Sequence, residues 1–523
     1  MAVAPCALAA QSALSVLRDG GNAVEAMVAA AATIAVAYPH MNGIGGDGFW
    51  LIAAPGAAPI GIEACGGAAA AASIEFYRAQ NLSAIPFRGA LAANTIAGTV
   101  SGWELALDWS RQTLGGHLPL KRLLADAIAY ASDGFPVTRS QAQNTASKAD
   151  ELADVPGFAG TYFGADAQPP KVGALFKQKR LAQTLERLAH AGLDDFYRGD
   201  LARSIAADLQ ALGSPLSLDD LNGYHARQRE PLELKHSLGA VYNMPPPTQG
   251  LVSEIIVGLL DRLLHDDMDP LGPDYVHACV ESTKLAFGVR DRHITDPDYM
   301  DVDPQTFLAS DKLDAMVAKV SMSKALPWPR GADPADTVWL GVIDGNGVAV
   351  SFIQSVYHEF GSGIVLPNSG INWQNRGCSF SLDPNVRNAL APGRRPFHTL
   401  NPPLARFNDG RTIVYGAMGG DGQPQSQSAV FSRIAKFGWD PQSAVSAPRW
   451  LLGRTWGRAS DTLKLEARFP DATFEALRAR GHEVESMSAY DEAMGHAGAI
   501  IRYPDGTFEG GYDPRSDGAA AGW

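Results

Sequence analysis

Residues 336–355 read D-T-V-W-L-G-V-I-D-G-N-G-V-A-V-S-F-I-Q-S, and this stretch decides how the rest of the chain is interpreted. Two apolar, β-branched runs, 338–343 and 348–353, flank Asp344-Gly345-Asn346-Gly347. That combination predicts a tight β-hairpin. Thr337 then stands at the very start of a buried strand. A hydroxyl in that position is well placed if the chain is cut before it, because the freed amine lies within reach of Oγ. The spacing nominates Thr337 as an N-terminal nucleophile; the bland alternative is an ordinary strand threonine.

The segment just before it, residues 323–336 (S-K-A-L-P-W-P-R-G-A-D-P-A-D), has no helical or strand period and is rich in Pro, Ala and Asp. Such a stretch reads as an exposed, flexible segment where a chain is readily broken. Upstream, the pattern predicts helices at 8–18 and 22–36 separated by Gly20-Gly21. Further helical pattern follows at 118–132, 178–212, 251–264 and 275–291, with Ser217-Leu218-Asp219-Asp220 as a capped helix start. Met244-Pro245-Pro246-Pro247-Thr248-Gln249-Gly250 reads as a rigid elbow. Downstream of Thr337, strand-like runs separated by turns are expected to about Gly420, then helices near 429–436 and 471–480 and a strand at 499–503. Helices at both ends with strands between predict layered packing without a βαβ repeat.

The glycines of Gly43-Ile44-Gly45-Gly46-Asp47-Gly48 approximate a dinucleotide fingerprint, but they follow a helix and lead into a strand at 49–53. That is the reverse of the order a nucleotide site requires. Close backbone packing is the preferred reading. The 523 residues are 46% hydrophobic and 19% charged, as in ordinary soluble enzymes. A net charge of −13 without a basic run argues against nucleic acid. Four scattered cysteines, Cys6, Cys65, Cys279 and Cys378, form no CxxC pair, so neither a zinc knuckle nor a disulfide framework is indicated. Apolar runs are too short and too interrupted by charge to span a bilayer, and a cytoplasmic protein is expected.

Several further motifs then supply a resemblance. They are Gly20-Gly21-Asn22-Ala23-Val24-Glu25-Ala26, Pro39-His40 with the glycine loop, Gly98-Thr99-Val100, the 244–250 elbow, and Lys284-Leu285-Ala286-Phe287 with Asp291-Arg292. Asp336-Thr337, Gly361-Ser362-Gly363-Ile364-Val365, Pro392-Gly393-Arg394-Arg395-Pro396 and Gly419-Gly420 complete the order. The chain resembles the γ-glutamyltranspeptidase superfamily of N-terminal nucleophile hydrolases over nearly its whole length. The resemblance implies an α+β fold, a four-layer α-β-β-α sandwich. It also implies self-cleavage between Asp336 and Thr337 into a large fragment, 1–336, and a small one, 337–523, intertwined as one domain. A threonine hydroxyl is a weak nucleophile until a base takes its proton, and the new α-amine supplies that base without any cofactor. Gly419 and Gly420 would offer backbone N–H groups to the oxyanion. Among Ser351, Gln354 and Ser355, Ser355 is the favoured partner of the nucleophile.

The sequence departs from the classical transpeptidase pattern where the acyl group is chosen. The expected arginine position is Cys65, Arg376 stands for a glutamine, Ser379 for the amine-binding aspartate, and His398-Thr399 for a serine pair. The residues between Ser381 and Pro392 are too few for the family's usual lid. A site that loses its acid and gains Arg376 and His398 favours a carboxylate over an ammonium. Arg376, His398, Thr399 and Ser379 are therefore the candidate substrate-binding residues. The expected reaction is hydrolysis of a small acidic amide, first of all oxamate to oxalate and ammonia. A glutaryl-type cephalosporin acylase, a γ-glutamyl hydrolase or transpeptidase, a metal-dependent hydrolase, and an unprocessed binding protein on a dead hydrolase fold are the rivals. No metal site is read from the spacing, and association into a homo-oligomer is left open.

Overall fold

The computed structural model describes residues 1–328, 336–454 and 460–523. Residues 329–335, half of the linker read at 323–336, thus lie outside the described residues. Numbered along the chain, the strands of the two large sheets are β1 (Ala2–Ala4), β2 (Asp47–Ala53), β3 (Ile60–Ala64), β4 (Arg227–Arg229), β5 (Leu232–His236) and β6 (Gly239–Asn243). They continue as β7 (Asp336–Ile343), β8 (Ala349–Tyr357), β9 (Leu404–Phe407), β10 (Thr412–Ala417), β11 (Ala497–Arg502), β12 (Phe508–Tyr512) and β13 (Ala519–Ala521). One sheet has the order β13-β1-β7-β8-β2-β3-β4 and the other β12-β11-β10-β9-β6-β5.

The inner faces of the two sheets meet in an apolar layer that includes Phe49, Trp339, Ile353, Leu404, Val414 and Ile500. Helices α1 (Ala7–Arg18), α2 (Ala23–Ala37) and α3 (Thr99–Leu114) cover the outer face of the first sheet. Helices α4 (Gly250–Leu263), α5 (Pro273–His293) and α6 (Gln423–Ala435) cover the second. The result is the α-β-β-α sandwich expected from the resemblance. Every residue of α2 is buried, and its many alanines let it lie close against its neighbours. Asn22 belongs not to the helix but to its cap, in a reciprocal box with Glu25.

The hairpin forms as predicted, with a loop longer than the two-residue turn. Asp344 Oδ1 accepts from the amides of Asn346 and Val348, at 2.9 and 3.0 Å, and Gly347 adopts φ +86°. The other oxygen of Asp344 accepts from the Ala23 amide at 2.9 Å, tying the hairpin to the start of α2. The ladder between β7 and β8 is regular from Ile343–Ala349 to Val338–Gln354, then slips so that Asp336 faces Tyr357. Thr337 is thus opposed by two residues, Ser355 and Val356, in a β-bulge, a device that re-aims side chains beside functional sites.

Three expectations differ. Residues 358–403 form no strand of either sheet; their backbone groups are satisfied by isolated bridges and turns. The helical stretches at 118–132 and 178–212 are broken into shorter helices. The edge hairpin β5–β6 was not anticipated. Among the described residues no helix is long and apolar enough to cross a membrane.

Candidate active site

Thr337 is fully buried at the head of β7, between β1 and β8. Its Oγ accepts from Gln423 Nε2 at 3.3 Å. Gln423 is the first residue of α6, and the turn leading into it contains Gly419 (φ +120°) and Gly420 (φ +52°). Both φ values lie where glycine is at ease and other residues are strained. The Gln249 side chain of the elbow donates to the carbonyls of Gly420 and Thr399, at 2.8 and 2.7 Å, coupling the glycine turn to the segment that carries His398 and Thr399.

The glycine loop acts through its backbone, as expected. A Cβ on Gly46 would sit 2.1 Å from the Ser355 carbonyl, and one on Gly45 would sit 2.2 Å from that of Asn372. These approaches press the loop against the bulge opposite Thr337. Ser355 Oγ accepts from the Tyr357 amide at 2.8 Å. The two residues weighed beside Ser355 are engaged elsewhere: Ser351 accepts from the Trp339 indole at 2.9 Å, and Gln354 donates to Asn42 at 2.7 Å.

Arg376 is 1% exposed, and its guanidinium lies 3.7 Å from the centre of the Tyr357 ring. Neither terminal nitrogen has a hydrogen-bond partner among the described residues. The same is true of the hydroxyls of Ser379 and Thr399 and of both ring nitrogens of His398. A buried guanidinium without hydrogen bonds is costly, which makes this cluster a place for an anion. Tyr357, Ser379 and Thr399 line a cleft of about 540 Å³, with Arg290, Phe397 and Asp421 also on its walls. Arg290 and Asp421 pair at 2.9 Å.

Two electrostatic expectations need correction. His398 supplies no positive charge: burial, aided by Arg376, holds its pKa well below the usual value, so the ring is neutral. Nor does the site lack an acid. Asp47, at the start of β2, is buried, with Oδ2 3.5 Å from His398 Nε2. Its Oδ1 accepts from the Gly98 amide at 3.0 Å and Gln374 Nε2 at 3.1 Å. Burial pushes its pKa up to about 7, against the opposing pull of Arg376. Cys65 lies in the inter-sheet layer, and burial raises its thiol pKa, so it carries no charge either.

Sequence reasoning missed Asp47, Tyr357 and Gln423. Asp47 was visible only as a residue inside a glycine loop. The other two were hidden because their roles come from the bulge and the start of α6. His277, Glu281 and His482 bring three potential metal-ligand atoms within 4.8 Å of one another. Their polar atoms are already engaged by protein groups, with His277 Nδ1 2.7 Å from His482 Nε2, and Glu281 accepting from Lys284 Nζ and the Leu326 amide, each at 2.7 Å.

The fold is that of the N-terminal nucleophile hydrolases: two facing sheets between helical layers, with a buried hydroxyl at the head of a central strand. The family model for gamma-glutamyltranspeptidase matches residues 9–523, and the chain belongs to that family. It is 57% identical over 523 residues to an oxamate amidohydrolase proenzyme of Klebsiella pneumoniae, covering 100% of this chain and 98% of the relative. It is 38% identical to a glutathione hydrolase-like proenzyme of Bacillus subtilis, with the same coverage. Among solved structures, a cephalosporin acylase from Bacillus halodurans superposes with a TM-score of 0.90 at 33% identity, covering 100% of this chain and 95% of that one. The chain is an amidohydrolase of this family.

Proposed function

We propose that the chain cleaves itself before Thr337 and then hydrolyses the amide of a small carboxylate-bearing substrate, oxamate first, to oxalate and ammonia. The observation that carries the substrate side is Arg376, buried on Tyr357 with its terminal nitrogens unbonded and the Ser379 and Thr399 hydroxyls lining the adjoining cleft. The printed name of the 57% identical relative points the same way.

In this reading the substrate carboxylate lies against Arg376, held by paired N–H donors. Thr337 Oγ attacks the amide carbon and passes its proton to the α-amine of the same residue. The Gly419-Gly420 turn offers N–H groups to the oxyanion. Collapse breaks the C–N bond, and the α-ammonium proton leaves with ammonia. Water then attacks the acyl ester, Oγ recovers its proton, and oxalate departs. Ser355 steadies the nucleophile from the bulge, and His398 packs against Asp47 as a neutral ring. No cofactor takes part. The fragments 1–336 and 337–523 stay together because β7 and β8 of the second lie between β1 and β2 of the first.

A second reading, a glutaryl-type acylase, draws support from the cephalosporin acylase likeness and from a cleft with room for a longer acyl chain. Denaturing gels and N-terminal sequencing test the processing: two fragments are expected, the smaller beginning T-V-W-L, while Thr337→Ala stays whole. Parallel assays of ammonia from oxamate, glutarate from a glutaryl amide and glutamate from a γ-glutamyl anilide test the substrate. An intact active parent chain would refute the nucleophile, and strong turnover of the anilide alone would refute the acidic-amide assignment.

A further inference from the structure

Gln423 enters neither the sequence motifs nor the reaction as described, yet its side-chain amide lies within hydrogen-bond distance of the nucleophile. We propose that Gln423 is a further catalytic residue that donates a hydrogen bond to Thr337 Oγ, and that Asn401 is the positioning residue that fixes which way its amide points. The proposal rests on Thr337 being the nucleophile.

The orientation follows from a chain of donors and acceptors. Asn401 Nδ2 donates to the Thr399 carbonyl at 3.0 Å, so that end of Asn401 must be nitrogen. The same Nδ2 donates to Gln423 Oε1 at 3.2 Å. Asn401 Oδ1 accepts from Ser253 Oγ at 2.7 Å and from Asn243 Nδ2 at 3.4 Å. Gln427 closes the group by donating to the Asn401 carbonyl at 2.9 Å, while its Oε1 lies 2.9 Å from Ser253 Oγ, whose single proton goes to the nearer Asn401 Oδ1. With its oxygen held by Asn401, Gln423 can turn only its NH₂ toward Thr337. All these side chains are buried, so water does not compete for the bonds.

The chemical consequence concerns the hydroxyl proton. An Oγ that accepts from Gln423 cannot donate its own proton there, and the proton remains for the base. The same N–H steadies the negative charge that grows on Oγ as its O–H bond breaks. It does so again in deacylation, when the C–Oγ bond breaks and the electron pair returns to Oγ before the proton does. Pro424 directly after Gln423 and the glycine turn directly before it hold the oxyanion donors and this amide on one element.

Three variants of the full chain test it: Gln423→Ala, Gln423→Glu and Asn401→Asp. Each is read by ammonia release from oxamate, by the rate of self-cleavage and by thermal melting. Gln423→Ala is expected to lower kcat roughly tenfold or more with KM within about twofold, the scale of one lost hydrogen bond. An ionised Gln423→Glu presents only acceptors, so its activity relative to the parent should rise as pH falls and the carboxyl becomes a donor. Asn401→Asp should lose a similar factor, because a carboxylate repels Gln423 Oε1 and turns the wrong end toward Thr337. Combined with Gln423→Ala it should lose little more, since both changes remove one function. Folded variants with parental kcat and self-cleavage would overturn the proposal, as would fully additive losses. If Thr337→Ala is dead and uncut while the Gln423 variants match the parent, this inference alone falls. If Thr337→Ala remains active, the nucleophile reading falls with it.

Discussion

Asp47 Oδ2 lies 3.5 Å from His398 Nε2, and both side chains are closed off from solvent. Burial moves the two groups in opposite directions, raising Asp47 to about 7 and holding His398 well below its usual range. Near neutrality the histidine is uncharged, and Asp47 is the group that titrates. The charge it gains or loses faces Arg376, which attracts it.

The sign of the pH effect follows. Below about 7 Asp47 is neutral and the Arg376 charge is unopposed; above it, the carboxylate offsets that charge. The KM for an acidic amide should therefore rise several-fold as pH increases through about 7, and Asp47→Asn should flatten that rise. Stability moves with the same shift. A raised carboxyl favours the folded chain while protonated and loses that advantage as pH climbs from 3.8 toward about 7. Asp47→Asn should accordingly gain on the parent over that interval, by on the order of a few kcal/mol in urea unfolding.

Removing the guanidinium probes the anion site. Arg376→Ala should raise KM for an acidic amide by roughly tenfold or more, since a charged hydrogen bond contributes about 1.5–3 kcal/mol. Arg376→Lys should not restore it, because an ammonium neither forms the planar fork nor stacks on Tyr357 in the same way. Unchanged kinetics in Arg376→Ala would remove this residue from the site.

The glycine loop offers a steric test. In Gly46→Ala the new Cβ would meet the Ser355 carbonyl at 2.1 Å, backbone against backbone, so the bulge opposite Thr337 must shift. Slower self-cleavage and a melting temperature lower by several degrees are expected, equivalent to about 1–3 kcal/mol. Gly43→Ala is the control, because its Cβ would meet Val356 at an ordinary 3.5 Å.

At Gly419 space is not the obstacle, since the nearest atom to a new Cβ is Gly495 Cα at 3.6 Å. The φ of +120° is. Gly419→Ala should relax the turn, misplace its amides and lower kcat by about a hundredfold, the scale of one lost oxyanion donor. Stopped kinetics with an intact melting curve would separate this from unfolding.

What could be read before the fold was known was local. The β7–β8 hairpin was legible because alternation and an Asp-Gly-Asn-Gly turn act within twenty residues. Helices α1, α2, α4 and α5 were legible from their period, to within a residue or two. Strands β5 and β6 were missed because each has five residues, and β5 alternates leucine with charge at the sheet edge. The expected strands of 358–403 failed because glycines and prolines send that backbone to distant partners, such as Gly45 for Trp373 and Thr248 for His398. Arg376, Ser379, His398 and Thr399 were nominated through motif order, whereas Gln423 looked like an ordinary helix start.

The sequence by itself determined the hairpin, the threonine at its head and the family, and it nominated the residues of the acyl pocket. Only the tertiary structure decided the charges and orientations there. Desolvation and amide direction belong to no single residue: burial shifts Asp47, Arg376 and His398 first, and the Arg376 charge then acts on both of the others. The Gln423 amide is turned by Asn401, 22 residues earlier, through bonds that exist only once the elbow, the glycine turn and α4 are packed together.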